Sequence, residues 1–130
     1  PHIFISKTNP LAKRDSVTLE DLDPYPRLAF EQGEYNSFYY SEEVFSTIPS
    51  PKSIQVSDRA TLFNLLIGLD GYTISTGILS EDLDSSEIVQ VPLEVEDKIK
   101  VGWVVNKKVE LSRMAKIYLE ELSATTRHML

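Results

Sequence analysis

The chain has no cysteine, and only two histidines, one tryptophan and five glycines in 130 residues. Without cysteine there are no disulfides, no thiolate catalysis and no Cys-ligated metal, which matches a reducing, cytoplasmic compartment. The histidines stand near the two ends, His2 and His128. Neither falls beside a cleft that the pattern predicts, so no acid–base imidazole and no enzyme are expected. No apolar run reaches the roughly 18 residues of a membrane span, and no signal-peptide pattern is visible. Positive charge is short too: 13 basic residues face 20 acidic ones, for a net charge of −7. Nucleic acid is gripped by a basic face, so this chain alone does not read as a DNA or RNA binder. There is no G-x-S-x-G elbow, no phosphate loop and no G-x-G-x-x-G. The acidic pairs Glu42-Glu43, Asp82-Asp84 and Glu96-Asp97 lack the glycine and closing glutamate of a calcium loop and read as solvated surface. No cofactor and no metal are expected.

What is present is ordinary for one globular domain, with 42% hydrophobic and 25% charged residues. The sequence starts at Pro1 without a methionine, already beside the apolar run Ile3-Phe4-Ile5. That reads as a segment of a longer protein or as a processed one.

The stretch Ser53–Ser80 organises the rest. A strand pattern at Ser53–Val56 leads to a helix pattern at Asp58–Leu69, and a second strand follows at Tyr72–Thr76. Strand, helix and strand make a parallel βαβ unit, expected to be right-handed. In the helix, Leu62, Leu65, Leu66 and Leu69 follow the spacing of one buried stripe. Gly68 and Gly71 mark its stop.

Upstream, Ile3–Ser6 reads as a strand that Pro10 ends. Thr18 with Asp21 forms a capping box over one helical turn, which Pro24 and Pro26 stop. Arg27–Phe30 is a short strand, Glu31–Glu34 a loop, and Asn36 or Ser37 caps a helix to Ser46. Downstream, Ser80–Glu87 is a short helix or turn and Ile88–Val91 a strand, with Pro92 at its end or on a sheet edge. Lys98–Asn106 alternates around Ile99, Val101, Trp103 and Val105 as a strand. A last helix runs from Arg113 to about Leu122, with a frayed tail beyond. Its face of Leu111, Met114, Tyr118 and Leu122 is apolar and expected to fold back on the chain or meet a second copy.

In open α/β sheets, ligands gather where strand C-terminal ends meet helix N-termini. That rule puts Ser57, Asp58 and Arg59 at one site edge. The Ser57 hydroxyl and the next free amides can hold a carboxylate or phosphate, or can simply cap the helix. Tyr72, Thr73 and Thr76 either add hydroxyl contacts or merely suit a β surface.

Taken together, Asn9-Pro10-Leu11-Ala12, Val17-Thr18-Leu19-Glu20-Asp21-Leu22, the run from Asp58 to Ser75, and Trp103 followed by Leu111-Ser112-Arg113-Met114-Ala115 resemble the effector-binding domain of LysR-type transcriptional regulators. Asn9 stands where the family often has histidine, Asp70 is extra or shifted, and Thr76-Gly77 replaces the usual Leu-Pro. The resemblance implies an α/β, periplasmic-binding-protein-like subdomain, a mixed and mostly parallel sheet flanked by helices. Residues 1–12 would be a crossing strand and residues 13–91 the second effector-binding subdomain. Residues 92–130 would be the return crossing, strand and C-terminal helix of the first subdomain. It also implies a small anionic or amino-acid-like inducer, DNA contact only through an absent winged helix-turn-helix, no membrane partner, and a homo-oligomer. The family's inducer contacts carry over to Gln32, Gly33, Ser57, Tyr72 and Thr76. The alternative is a solute-binding domain of the same architecture serving transport.

Overall fold

The computed structural model describes residues 1–31, 50–78, 87–100 and 102–129. It divides into two units, Pro1–Ile99 and Lys100–Leu130.

In the first unit, strand β1 (His2–Ser6) is the pivot. A 3-10 turn at Pro10–Lys13 and a single helical turn, α1 (Leu19–Leu22), follow it. The capping box is formed as expected: Thr18 Oγ1 accepts from the Asp21 amide at 3.3 Å, and Asp21 Oδ2 accepts from the Thr18 amide at 3.0 Å. Then come β2 (Arg27–Phe30), β3 (Ser53–Val56), α2 (Arg59–Gly68), β4 (Tyr72–Ser75) and β5 (Ile88–Pro92). The strands form one sheet in the order β3-β2-β4-β1-β5. Strands β3 and β4 both run parallel to β2, and β1 runs antiparallel to β4 and β5. Four strands therefore point one way and β1 the other. The mixed sheet and the parallel βαβ unit stand as predicted, with β2 inserted between the two strands of that unit.

Period-two alternation splits the core between the two faces of the sheet. On one face Ile3, Ile5, Tyr72, Ile74 and Val91 pack with Leu11, Val17, Leu22 and Leu93. On the other, Phe4, Leu28, Val56 and Ile88 receive Leu62 and Leu66 of α2. Of the predicted stripe, Leu62 and Leu66 are buried and Leu65 half-buried. Leu69 is exposed because it is already the C-cap residue, past the last helical turn.

The turn after α2 differs from the glycine stop expected. The left-handed residue is Asp70, at φ 53°, not a glycine. Asn9 holds it: its Nδ2 donates to Asp70 Oδ1 at 2.9 Å, while its Oδ1 accepts from the Leu11 amide at 2.8 Å. Gly71 then passes so near β2 that a methyl group there would come within 2.9 Å of the Pro26 carbonyl oxygen.

In the second unit, no strand forms at 102–106 among the described residues. Trp103, Val104 and Val105 are exposed. The alternating pattern carries a strand signal, but a strand without a ladder partner is not stable by itself. Helix α3 (Arg113–Met129) extends well beyond the predicted Leu122. Ser112 caps it, its Oγ accepting from the Ala115 amide at 3.2 Å. Met114 and Tyr118 on its apolar face are 72% and 65% exposed.

Candidate functional site

Strand direction decides which side chains can meet. Because β2, β3, β4 and β5 run the same way, their last residues, Phe30, Val56, Ser75 and Pro92, line one edge of the sheet. Segments leaving that edge carry Glu31, Ser57-Asp58-Arg59 and Thr76-Gly77-Ile78. The Glu31 amide donates to the Val56 carbonyl at 2.9 Å, which ties the exits of β2 and β3 together. The Arg59 guanidinium lies over the Phe30 ring, 5.6 Å from its centroid, and so pins the first turn of α2 to the end of β2.

Ser57 and Thr76 therefore share this edge. Gln32 and Gly33 lie outside the described residues. Tyr72 is at the other end: it is the first residue of β4, roughly 10 Å from Ser75 along the strand. Its ring is buried in the core with Ile3, Ile5 and Leu22, and its amide donates to the Pro26 carbonyl at 3.0 Å.

Ser57 does not head the helix. Asp58 does, with Oδ1 accepting from the Thr61 amide at 2.8 Å and Oδ2 from the Thr61 hydroxyl at 2.7 Å. The Thr61 hydroxyl and amide, with help from the Ala60 amide, hold the Asp58 carboxyl below its ordinary range. The helix front thus carries its own anion, and part of the amide donor set expected for a ligand is already engaged. What this edge offers instead is the Arg59 cation, the Ser57 and Thr76 hydroxyls, and the carboxylates of Glu31 and Asp58. Thr76 is half-buried, and its Oγ1 accepts from the Ile78 amide at 3.3 Å. Such a mixture suits a small polar molecule carrying both an acid and donor groups.

His2 belongs to the same edge, contrary to the reading that set it apart. It opens β1, opposite Ser75 on one side and Pro92 on the other. Only knowing that β1 runs against its neighbours brings it there. Burial lowers its pKa from 6.5, while a hydrogen bond with the Thr76 backbone acts in the opposite sense. Among the described residues, no group of three or more His, Cys, Asp or Glu gathers as a metal site. No helix among them is long and apolar enough to cross a membrane.

No family model and no curated protein matches this sequence. Solved structures do match. HinK, a LysR family transcriptional regulator from Pseudomonas aeruginosa, superposes with a TM-score of 0.58 at 16% identity, over 92% of this chain and 42% of that one. A second Pseudomonas aeruginosa chain assigned to that family gives 0.62 at 15% identity, over 96% and 45%. The effector-binding domain of QuiR, solved in complex with shikimate, gives 0.58 at 20% identity, over 99% and 62%. The fold is that of a LysR effector-binding domain, periplasmic-binding-protein-like. The chain spans less than two thirds of the length of each of these structures.

Proposed function

We propose that the chain is the ligand-sensing part of a cytoplasmic LysR-type transcriptional regulator. It binds a small anionic or amino-acid-like inducer at the C-terminal edge of the sheet. The observation that carries this reading is the gathering of Ser57, Arg59 and Thr76 where four strands end, in a fold whose ligands collect at such edges. Arg59 suits an inducer's carboxylate, and Glu31 and Asp58 suit an ammonium or hydroxyl. The shikimate held by the QuiR domain is a hydroxylated carboxylate, which supports that ligand class.

On this reading, residues 1–12 act as a crossing strand, 13–91 as the second subdomain, and 92–130 as the return crossing with elements of the first. Gln32 and Gly33 join Ser57 and Thr76 in the site, and Tyr72 supports it from the core. DNA contact belongs to a winged helix-turn-helix outside this sequence, which fits the net charge of −7. The regulator works as a homo-oligomer and not as an enzyme. The three neighbours named above are regulators or a regulator's domain, so they lend nothing to the transport alternative.

Titration calorimetry with shikimate and a set of small amino and hydroxy acids tests the reading. One of them should bind, and Ser57→Ala should weaken it about tenfold, the worth of one hydrogen bond to a charged group. Unchanged affinity in that variant removes Ser57 from the site. No binding across the set contradicts the sensing role.

A further inference from the structure

Arg59 is an exposed cation in a chain of net charge −7, yet among the described residues it has no ion pair and no hydrogen bond from its side chain. Other exposed cations of the first unit do find carboxylates: Lys7 meets Glu87 and Arg14 meets Asp21. Two acids stand near Arg59, and it bonds to neither. Both oxygens of Asp58 are taken by Thr61, one by the amide and one by the hydroxyl. Glu31, at the exit of β2, forms no salt bridge among the described residues. What holds the guanidinium is the Phe30 ring, 5.6 Å away at its centroid. That ring is itself fixed. It is half-buried against the cluster of Phe4, Leu28, Val56, Leu62 and Leu66, and its backbone pairs with Val56 in the ladder. An aromatic face attracts a cation without engaging its N–H groups, whereas a carboxylate engages two of them. The planar fork of donors is therefore held in place and left open.

We propose that Phe30 is a positioning residue for the inducer: its ring holds the Arg59 guanidinium with the donors free, so that the edge selects a carboxylate over the corresponding neutral group. This rests on the ligand-sensing reading of the same edge and adds to it the feature that sets acid specificity. The ligand class is a small carboxylic acid, bound as its anion through two parallel N–H···O bonds. A long side chain ordered before the ligand arrives loses less freedom on binding, which changes affinity by about three- to tenfold.

The test is titration calorimetry of the full 130-residue chain with shikimate and its methyl ester, which keeps the ring and hydroxyls but not the charge. If shikimate does not bind, the acid selected from the set above and its own methyl ester take their place. The parent should prefer the acid by about tenfold or more. Phe30→Leu, apolar but without a π face, should weaken the acid about three- to tenfold and leave the ester nearly unchanged. Phe30→Tyr, which keeps the ring, should restore the preference. In an Arg59→Gln background, Phe30→Leu should have no further effect on it. A Phe30→Leu variant that binds like the parent, or that weakens acid and ester alike, overturns the inference and leaves the sensing reading standing. So does a parent that binds acid and ester equally. If no member of the set binds, both fall. Nitrogen-15 NMR of the parent without ligand decides the platform even if Phe30→Leu fails to fold. The Arg59 Nε proton should be shifted upfield by the Phe30 ring current, and a random-coil position overturns the inference.

Discussion

Asn9→Ala removes two hydrogen bonds from a position that is 1% exposed. The Leu11 amide loses its partner at 2.8 Å in a buried setting, and Asp70 loses its donor at 2.9 Å. A buried amide left unpaired costs about 1–3 kcal/mol, and the lost bond to a carboxylate adds about 1 kcal/mol more. The sum is about 2–4 kcal/mol, a large part of the ~5–15 kcal/mol that holds a typical domain. In urea, with a slope of about 1–3 kcal/mol per molar, the midpoint should fall by roughly 1–2 M. Far-UV circular dichroism reads it without relying on Trp103, which lies in the other unit. Asp70→Ala should cost about 1–3 kcal/mol, by losing the same bond and by placing alanine at positive φ. The double variant should then be milder than the sum of the singles by about 1 kcal/mol. Strict additivity, or an Asn9→Ala midpoint equal to the parent's, would refute the claim that this pair holds the turn between α2 and β4.

Three further outcomes are expected. Leu66→Ala should cost about 2–5 kcal/mol, because Leu66 is fully buried between α2 and the sheet, whereas Leu69→Ala should cost little; equal losses in urea melts would place the helix face wrongly. The Asp58 carboxyl is held low by its cap, so its contribution is present above the ordinary value of 3.8 and disappears as pH falls through the folded value. Asp58→Asn should therefore lower the thermal midpoint at pH 6 more than at pH 2, and a pH-independent difference contradicts that origin. Trp103 is half-exposed in an unpaired segment, so its emission should be red-shifted and freely quenched by acrylamide; blue, protected emission would mean that this stretch is covered.

The fold was largely readable because its signals are local. The capping box at Thr18 and Asp21 needs four residues, and the apolar positions of β1, β2 and β4 need only alternation. Burial of Leu62 and Leu66 follows from helical spacing. Contacts between distant segments were less readable. Asn9 and Asp70 each stand out as departures from the family pattern, yet nothing in sequence shows that they bond to each other across 61 positions. The alternation through Trp103 misled because a strand signal says what a segment would pair as, not whether a partner is present.

The strand-end edge was partly legible. Ser57, Asp58 and Arg59 follow from the rule that ligands meet strand ends, Thr76 was carried over from the family resemblance, and all four stand at that edge. Tyr72 was carried over from a family position without regard to which end of β4 it occupies, and the structure puts it in the core at the far end. Asp58 displaced Ser57 as the cap because its carboxylate reaches both the amide and the hydroxyl of Thr61. His2 could not be placed at this edge until β1 was known to run antiparallel, which turns the start of one strand into a neighbour of the ends of two others.

The most direct test of the central claim is a crystal structure of the chain soaked with the small acid that calorimetry selects. The account predicts the ligand at the edge where β2, β3 and β4 end, with an acid oxygen within hydrogen-bond distance of the Ser57 or Thr76 hydroxyl. A ligand seated at the Tyr72 end of the sheet, or away from these strand ends altogether, would contradict it.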